Sequence, residues 1–171
     1  GPVGVPVARL VEIADQVVAV SADQAEIFAA AGVPRARLTV LPNGVDAGVF
    51  HPGAATERVA ARIVFAGALV PDKGLDVLLH AMPLVRALVP AAELVVCGAA
   101  SLWARAPFFD PEAVRRELPY VSFHGALPQA AVAAELAGAA LAVVPTPPAR
   151  WREAFGMAAS EAQACGTPVV V

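Results

Sequence analysis

The sequence predicts an α/β fold, a parallel sheet covered by helices on both faces. Two observations predict it. Short apolar runs rich in valine recur without the polar alternation of a half-solvated strand, and alanine-rich segments of helical length lie between them. The runs place strands near 16–20, 37–41, 62–66, 93–97, 120–124, 140–145 and 168–171, and six of the seven are expected to be buried on both faces. Helices fit 6–14, 22–31, 74–88, 111–118, 129–138 and 157–165. The clearest is Leu75–Leu88, where Leu75, Leu78, Leu79, Met82, Leu84, Val85 and Leu88 recur at helical spacing and Pro90 ends the run. Asp72, Lys73 and Gly74 stand at its start.

Two regions break this pattern. The turn-rich stretch from Leu41 to Asp46 leads through Val49, Phe50, His51, Pro52 and Gly53 to a polar segment ending at Arg58, which reads as a linker between two structural units. Residues 101–111, with Trp103, Phe108 and Phe109, form a long aromatic loop after the fourth strand; packing is the first expectation for these rings, and a part in choosing the ligand is the second. The chain opens on an isolated helix and two strands and ends on a valine run with no covering helix after it. A fragment of a longer protein is expected.

Composition narrows the function classes. A chain of 171 residues can bury roughly 70% of its unfolded surface, so a sizeable core is available. The apolar fraction of 58% is inflated by alanine, and no uninterrupted apolar stretch reaches about 18 residues, so no transmembrane segment is expected. Twelve Lys and Arg against fifteen Asp and Glu give a net charge of −3 without a basic stripe, which argues against nucleic acid as a partner. Cys97 and Cys165 form no disulfide framework and match no metal spacing, and the amino terminus lacks a charged-then-apolar leader; a reduced, cytoplasmic compartment fits.

In an open parallel sheet ligands bind at the carboxyl ends of the strands, so the residues just after each valine run are the informative ones. After the third run come Gly67, Ala68 and, at the mouth of the best helix, Lys73. Helix amides and dipole favour an anion there, and Lys73 is the only lysine in the chain. An exposed lysine beside a helix cap is the plainer alternative. After the sixth run, Glu153 precedes the Phe155-Gly156 turn, Glu161 lies about one turn inside the following helix, and the amides of Gly156, Met157 and Ala158 lack intrahelical partners. A carboxylate can accept from two vicinal sugar hydroxyls, although two glutamates eight apart also suit a solvated helix face. Gly98 and Gly125 end two further strands, where an ordinary turn is the simpler reading. His51, His80 and His124 have no metal or nucleophile partner at a recognisable spacing and read as structural. The sequence lacks G-x-G-x-x-G, G-x-x-x-x-G-K-[ST], G-x-S-x-G, H-E-x-x-H and C-x-x-C, which removes the main support for nicotinamide, ATPase, hydrolase and zinc chemistry.

Taken in order, these residues resemble family 4 of the retaining glycosyltransferases, the group 1 family with the two-domain GT-B fold. The resemblance runs from Ala14–Ser21 through Leu41–Asp46 with Phe50 and Pro52, then Gly67–Gly74, then the E-x7-E motif of Glu153 and Glu161 with its trailing Cys165-Gly166-Thr167-Pro168. It implies that 1–45 end an amino-terminal, acceptor-binding domain and that 46–171 form a Rossmann-like carboxy-terminal domain for the nucleotide-sugar donor, truncated at its end. The catalytic residues it implies are Lys73, neutralising the donor diphosphate, and Glu153, against the transferred sugar. Amides from Phe155 to Ala158 would hold sugar and phosphate oxygens, with Ala154 beside them, and Glu161 would take both ribose hydroxyls. Gly125, Ala126 and Leu127 would line the base, and Gly67, Ala68 and Gly98 complete the donor site.

The resemblance further implies transfer from a nucleotide-diphosphate sugar to an acceptor hydroxyl with retention, the leaving phosphate taking the acceptor proton, with no metal and no other cofactor. A unit charge about 4 Å away is worth up to roughly 4 kcal/mol at an effective dielectric near 20, which makes Lys73 the leading residue. Partners are then the donor, the acceptor and the missing amino-terminal domain, through which any membrane association would come. One departure stands out: the family's usual Arg is Ala68 here, and loss of such an electrostatic donor costs on the order of 10²–10³ in rate. Arg150 or Arg152 is the expected partial replacement, against the alternatives of a solvated loop arginine or an ion pair with Glu153. The rival readings are a nucleotide-sugar binding module without turnover, a phosphorylase, which would need Lys73 for its cofactor, and an epimerase acting without acceptor. The isolated chain is expected to bind nucleoside diphosphate weakly and transfer nothing.

Overall fold

The computed structural model describes residues 13–55, 57–99, 110–150 and 153–171. The expected helix at 6–14 and the loop at 101–111 lie almost wholly outside them, as does Arg152. The chain divides into two compact units, one drawn from Gly1–Gly44 with Glu153–Phe155, the other from Val45–Arg152 with Gly156–Val171.

In the first unit, β1 (Val17–Ala19) pairs in parallel with β2 (Leu38–Val40), and α1 (Ala22–Ala30) connects them. Ser21 caps α1, its Oγ accepting from the Gln24 backbone amide at 3.2 Å, and Gln24 Oε1 reaches back to accept from the Val20 amide at 2.9 Å. Burial of these strands on both faces is not observed. Val18, Val40 and Leu41 are exposed, because α1 is the one helix placed between two short strands among the described residues.

The second unit is a five-stranded, all-parallel sheet in the order β5-β4-β3-β6-β7. Its strands are β3 (Arg62–Ala66), β4 (Glu93–Cys97), β5 (Val121–Gly125), β6 (Leu141–Val143) and β7 (Val169–Val170). Its helices are α2 (Leu75–Leu88), α3 (Pro111–Glu117), α4 (Gln129–Gly138) and α5 (Met157–Ala164). Only β3 and β4 are buried along most of their length; β6, although it too has a strand on each side, is half-buried at Leu141 and Val143. Successive residues point to opposite faces. Ile63, Phe65, Leu94 and Val96 therefore meet Leu75, Leu78 and Met82 of α2 on one side. Val64, Val95 and Ala142 meet Ala133, Leu136 and Ala137 of α4 and Ala162 of α5 on the other.

The linker reading of the segment after Asp46 is corrected. Phe50 is 3% exposed and belongs to the core of this second unit, with Val45 and Val49 packed beside it. Asp46 shapes the turn that delivers it, its carbonyl accepting from the Phe50 amide at 2.8 Å and its carboxylate from the Gly48 amide at 2.9 Å. Thr167, the buried polar residue on this side, donates from Oγ1 to the Leu136 carbonyl at 2.6 Å and ties the end of α5 to α4.

Candidate functional site

The strand order decides where a ligand can enter. The chain steps outward from β3 to β4 and β5, then returns to place β6 on the opposite side of β3. The connections leaving neighbouring strands β3 and β6 lead to helices on opposite faces of the sheet, α2 and α5, the switch point that open parallel sheets use for ligands. Helices in such a sheet begin at its carboxyl edge, so the starts of α2 and α5 face that edge.

Two glycines continue the ladder past the strand ends. The Gly67 amide donates to the Cys97 carbonyl at 2.9 Å, and the Gly98 amide to the Gly125 carbonyl at 2.8 Å. A Cβ at Gly98 would stand 1.8 Å from the Gly67 carbonyl oxygen, so Gly98 is glycine because two strand ends meet there. Ala68 follows in the loop after β3, where the Leu69 amide donates to the Ala99 carbonyl at 3.0 Å. A single 3-10 turn, Pro71–Lys73, then delivers Lys73 to Gly74 in the left-handed conformation, φ 69°, ahead of α2. A side chain at Gly74 would collide with the Pro145 carbonyl oxygen, 2.0 Å away.

The start of α5 is Gly156, also left-handed, and no side chain caps it. Its carbonyl accepts from the Ala159 amide at 3.0 Å, which leaves the amides of the first turn, Met157 and Ala158 included, outside the helical ladder. Glu161, half-buried on α5, has its carboxyl raised above the ordinary value by burial. Glu153, Ala154 and Phe155 group with the first compact unit, whereas Gly156, Met157, Ala158 and Glu161 belong to the second.

Beyond β5, Gly125 turns the chain into Ala126 and Leu127, and Leu127 packs against the small-residue core. The preceding His124 is held by a residue that sequence reasoning did not single out: its Nδ1 lies 3.1 Å from Glu135 Oε1 on α4. Arg62 approaches the other oxygen of the same carboxylate at 3.6 Å and bonds Glu93 at 2.7 Å. Both cysteines are buried thiols. Burial first, and the Glu135 charge second, push Cys97 up to about 12, and burial raises Cys165 as well. Neither is a nucleophile at neutral pH. No group of three or more His, Cys, Asp and Glu side chains able to hold a metal occurs among the described residues, and no described helix is long and apolar enough to cross a membrane.

Arg150 has a partner that the sequence did not name. Its guanidinium meets the Asp76 carboxylate, Nη1 lying 2.8 Å from each oxygen, and also donates to the Pro71 carbonyl at 3.2 Å. It is therefore held by Asp76 and Pro71, with 41% of its side chain still exposed.

A family model described as Glycosyl transferases group 1 matches residues 60–171, and one described as Glycosyltransferase Family 4 matches residues 6–49. The D-inositol 3-phosphate glycosyltransferase of Segniliparus rotundus is 37% identical over 147 residues, covering 78% of this chain and 31% of that protein. Its namesake in Mycobacterium tuberculosis is 32% identical over 180 residues, covering 95% of this chain and 35% of that protein. Among solved structures, Anabaena HepE in complex with UDP and glucose aligns with a TM-score of 0.78 at 22% identity, over 96% of this chain and 46% of that one. Sucrose-phosphate synthase from Thermosynechococcus elongatus aligns with a TM-score of 0.68 at 28% identity, over 94% of this chain and 41% of that one. The chain spans about a third of the length of the curated relatives it matches.

Proposed function

The chain belongs to the group 1 glycosyl transferases and has the α/β architecture of GT-B enzymes, and from that premise we propose that its larger unit holds the nucleoside diphosphate of a sugar donor. The whole protein then moves the sugar to an acceptor hydroxyl with retention at the anomeric carbon. One observation carries the reading: the Lys73 turn and the uncapped start of α5 follow adjacent strands β3 and β6, where the strand order reverses. An ammonium and a set of unsatisfied amides at such an edge suit a diphosphate. Glu161 takes the ribose hydroxyls, Gly125, Ala126 and Leu127 the base, and Gly67, Ala68 and Gly98 the backbone approach to the phosphates. Glu153, Ala154 and Phe155 belong to the transferred sugar by their place in the motif. In this reading residues 1–45 end the acceptor-binding domain, 46–171 are the donor-binding domain, and the chain alone does not turn over.

No metal and no other cofactor enters the mechanism. As the glycosidic bond breaks, charge grows on the leaving phosphate, Lys73 and the α5 amides offset it, and the phosphate takes the acceptor proton on the same face. HepE was solved with UDP and glucose, which makes UDP-glucose the first donor to test, and D-inositol 3-phosphate, from the relatives' name, is the first acceptor. Calorimetry of UDP-, GDP- and ADP-sugars against the full-length protein should show one class binding, with Lys73→Ala and Glu161→Ala each weakening it at least about tenfold. Undiminished binding in Lys73→Ala removes the proposal.

A second reading, binding without turnover, is favoured by Ala68 together with the engagement of Arg150 by Asp76, which leaves Lys73 without a second described cation on the β3 loop. Donor binding with no product from any acceptor would mark it.

A further inference from the structure

The geometry points to Arg150 as a positioning residue for Lys73, an inference that rests on the diphosphate reading above. One guanidinium holds the chain on both sides of that lysine. Two residues before it, the Pro71 carbonyl accepts from Arg150 Nη1 at 3.2 Å; three residues after it, the Asp76 carboxylate receives the same group at 2.8 Å. Between those anchors, Gly74 lies so close to the loop after β6 that a Cβ would also stand 2.9 Å from Pro147 Cδ. That loop is itself folded, the Arg150 amide donating to the Pro147 carbonyl at 2.9 Å. The loops after β3 and β6, the two strands flanking the crevice, are thus fastened at two independent points beside Lys73.

The energetics favour a positional role. The Arg150 and Asp76 side chains are 41% and 26% exposed, and an ion pair so accessible to water adds little to stability. Asp76 also cancels the guanidinium charge, so the pair contributes no net cation to a phosphate. What remains is restraint: a flexible lysine at the mouth of a helix is useful only if its backbone is fixed, and a misplacement of about 1 Å can cost far more than a lost surface pair. Lysine at 150 cannot reproduce this, because its ammonium ends one atom short of Nη1, the nitrogen that makes all three contacts.

The test is a pair of mutant cycles on the full-length protein, read by calorimetry with UDP, GDP and ADP and their monophosphates, with thermal melts verifying that each variant folds. Arg150→Ala and Asp76→Ala should each weaken diphosphate binding about tenfold and monophosphate binding much less, and the double variant should be no weaker than either alone. In a Lys73→Ala background, Arg150→Ala should change nothing further. Tighter diphosphate binding in Asp76→Ala would mean that Arg150 meets the phosphate directly and would overturn the inference. Full loss in Lys73→Ala with no effect of Arg150→Ala would overturn the bracing alone. No effect of Lys73→Ala would overturn the diphosphate reading and the bracing with it. Arg150→Lys, which keeps the charge, should bind like Arg150→Ala; wild-type affinity there would also refute it.

Discussion

The two faces of the five-stranded sheet are packed with different material. Toward α2 and α3 lie Phe65, Leu75, Leu78, Met82 and Leu94; toward α4 and α5 lie Ala133, Ala137, Ala139, Ala142 and Ala162 with Cys97 and Cys165. Large side chains fill space by themselves. Small ones require backbones to come close, as at Gly138, where a Cβ would stand 3.2 Å from the Glu57 carbonyl oxygen, and they require bulk brought in from elsewhere, which Phe50 supplies. The difference teaches that the small-residue face depends on a segment remote in sequence, whereas the large-residue face is largely self-sufficient within β3, α2 and β4.

The sharpest way to break that comparison is Phe50→Ala, expected to cost about 3–5 kcal/mol, at least as much as Met82→Ala at about 2–5 kcal/mol on the opposite face. Chemical denaturation measures both, and a Phe50→Ala loss under about 1 kcal/mol would show the small face standing without it. Next in size, Ala162→Leu should overpack the closely approached α4–α5 side and cost about 1–3 kcal/mol. The volume-conserving Leu79→Met on α2 should cost less than about 1.5 kcal/mol, so equal losses would erase the contrast. Thr167→Val removes the hydroxyl that ties α5 to the Leu136 carbonyl and should cost about 1 kcal/mol, visible in the same denaturation curves.

The smallest effect concerns pH. Burial raises the Glu161 carboxyl above 4.5, so its neutral form suits the fold. The stability it contributes is complete below that unfolded-chain value and is lost as pH rises through the higher native one. Glu161→Gln should flatten this decline and leave stability at neutral pH unchanged or higher by about 0.5 kcal/mol at most, while weakening nucleoside diphosphate binding. Melts between pH 4 and pH 7, expressed relative to wild type, would decide it, and an unchanged slope would remove the burial argument.

Two of the three strands that lie inside the sheet were legible to the residue, while β6 is shorter than its apolar run at 140–145. β3 and β4 run over 62–66 and 93–97 as their uninterrupted apolar character predicts, because a strand between two neighbours carries its own signal. The edge strand β7 shrinks to Val169–Val170, since its extent is set by β6 rather than by its own valines. Helix α2 runs over Leu75–Leu88 as its apolar pattern predicts, and Gly74 before it is held left-handed against Pro145. Phe50 read as part of a linker since its burial depends on α4, more than seventy positions away. In the candidate site, the Lys73 turn could be read from adjacent residues. The engagement of Arg150 by Asp76, 74 positions apart, could not, because nothing local to either residue names its partner.

The strand order also carries a consequence for how this sheet is assembled. Ile63 pairs with Leu94 on one edge and with Leu141 on the other, so as the chain leaves the ribosome the first edge closes long before the second. Closure of the longer loop comes late, and until then the middle of the sheet presents a bare hydrogen-bonding edge of the kind that invites mispairing or a chaperone. The seam that closes across the longest stretch of chain is the one beside Lys73.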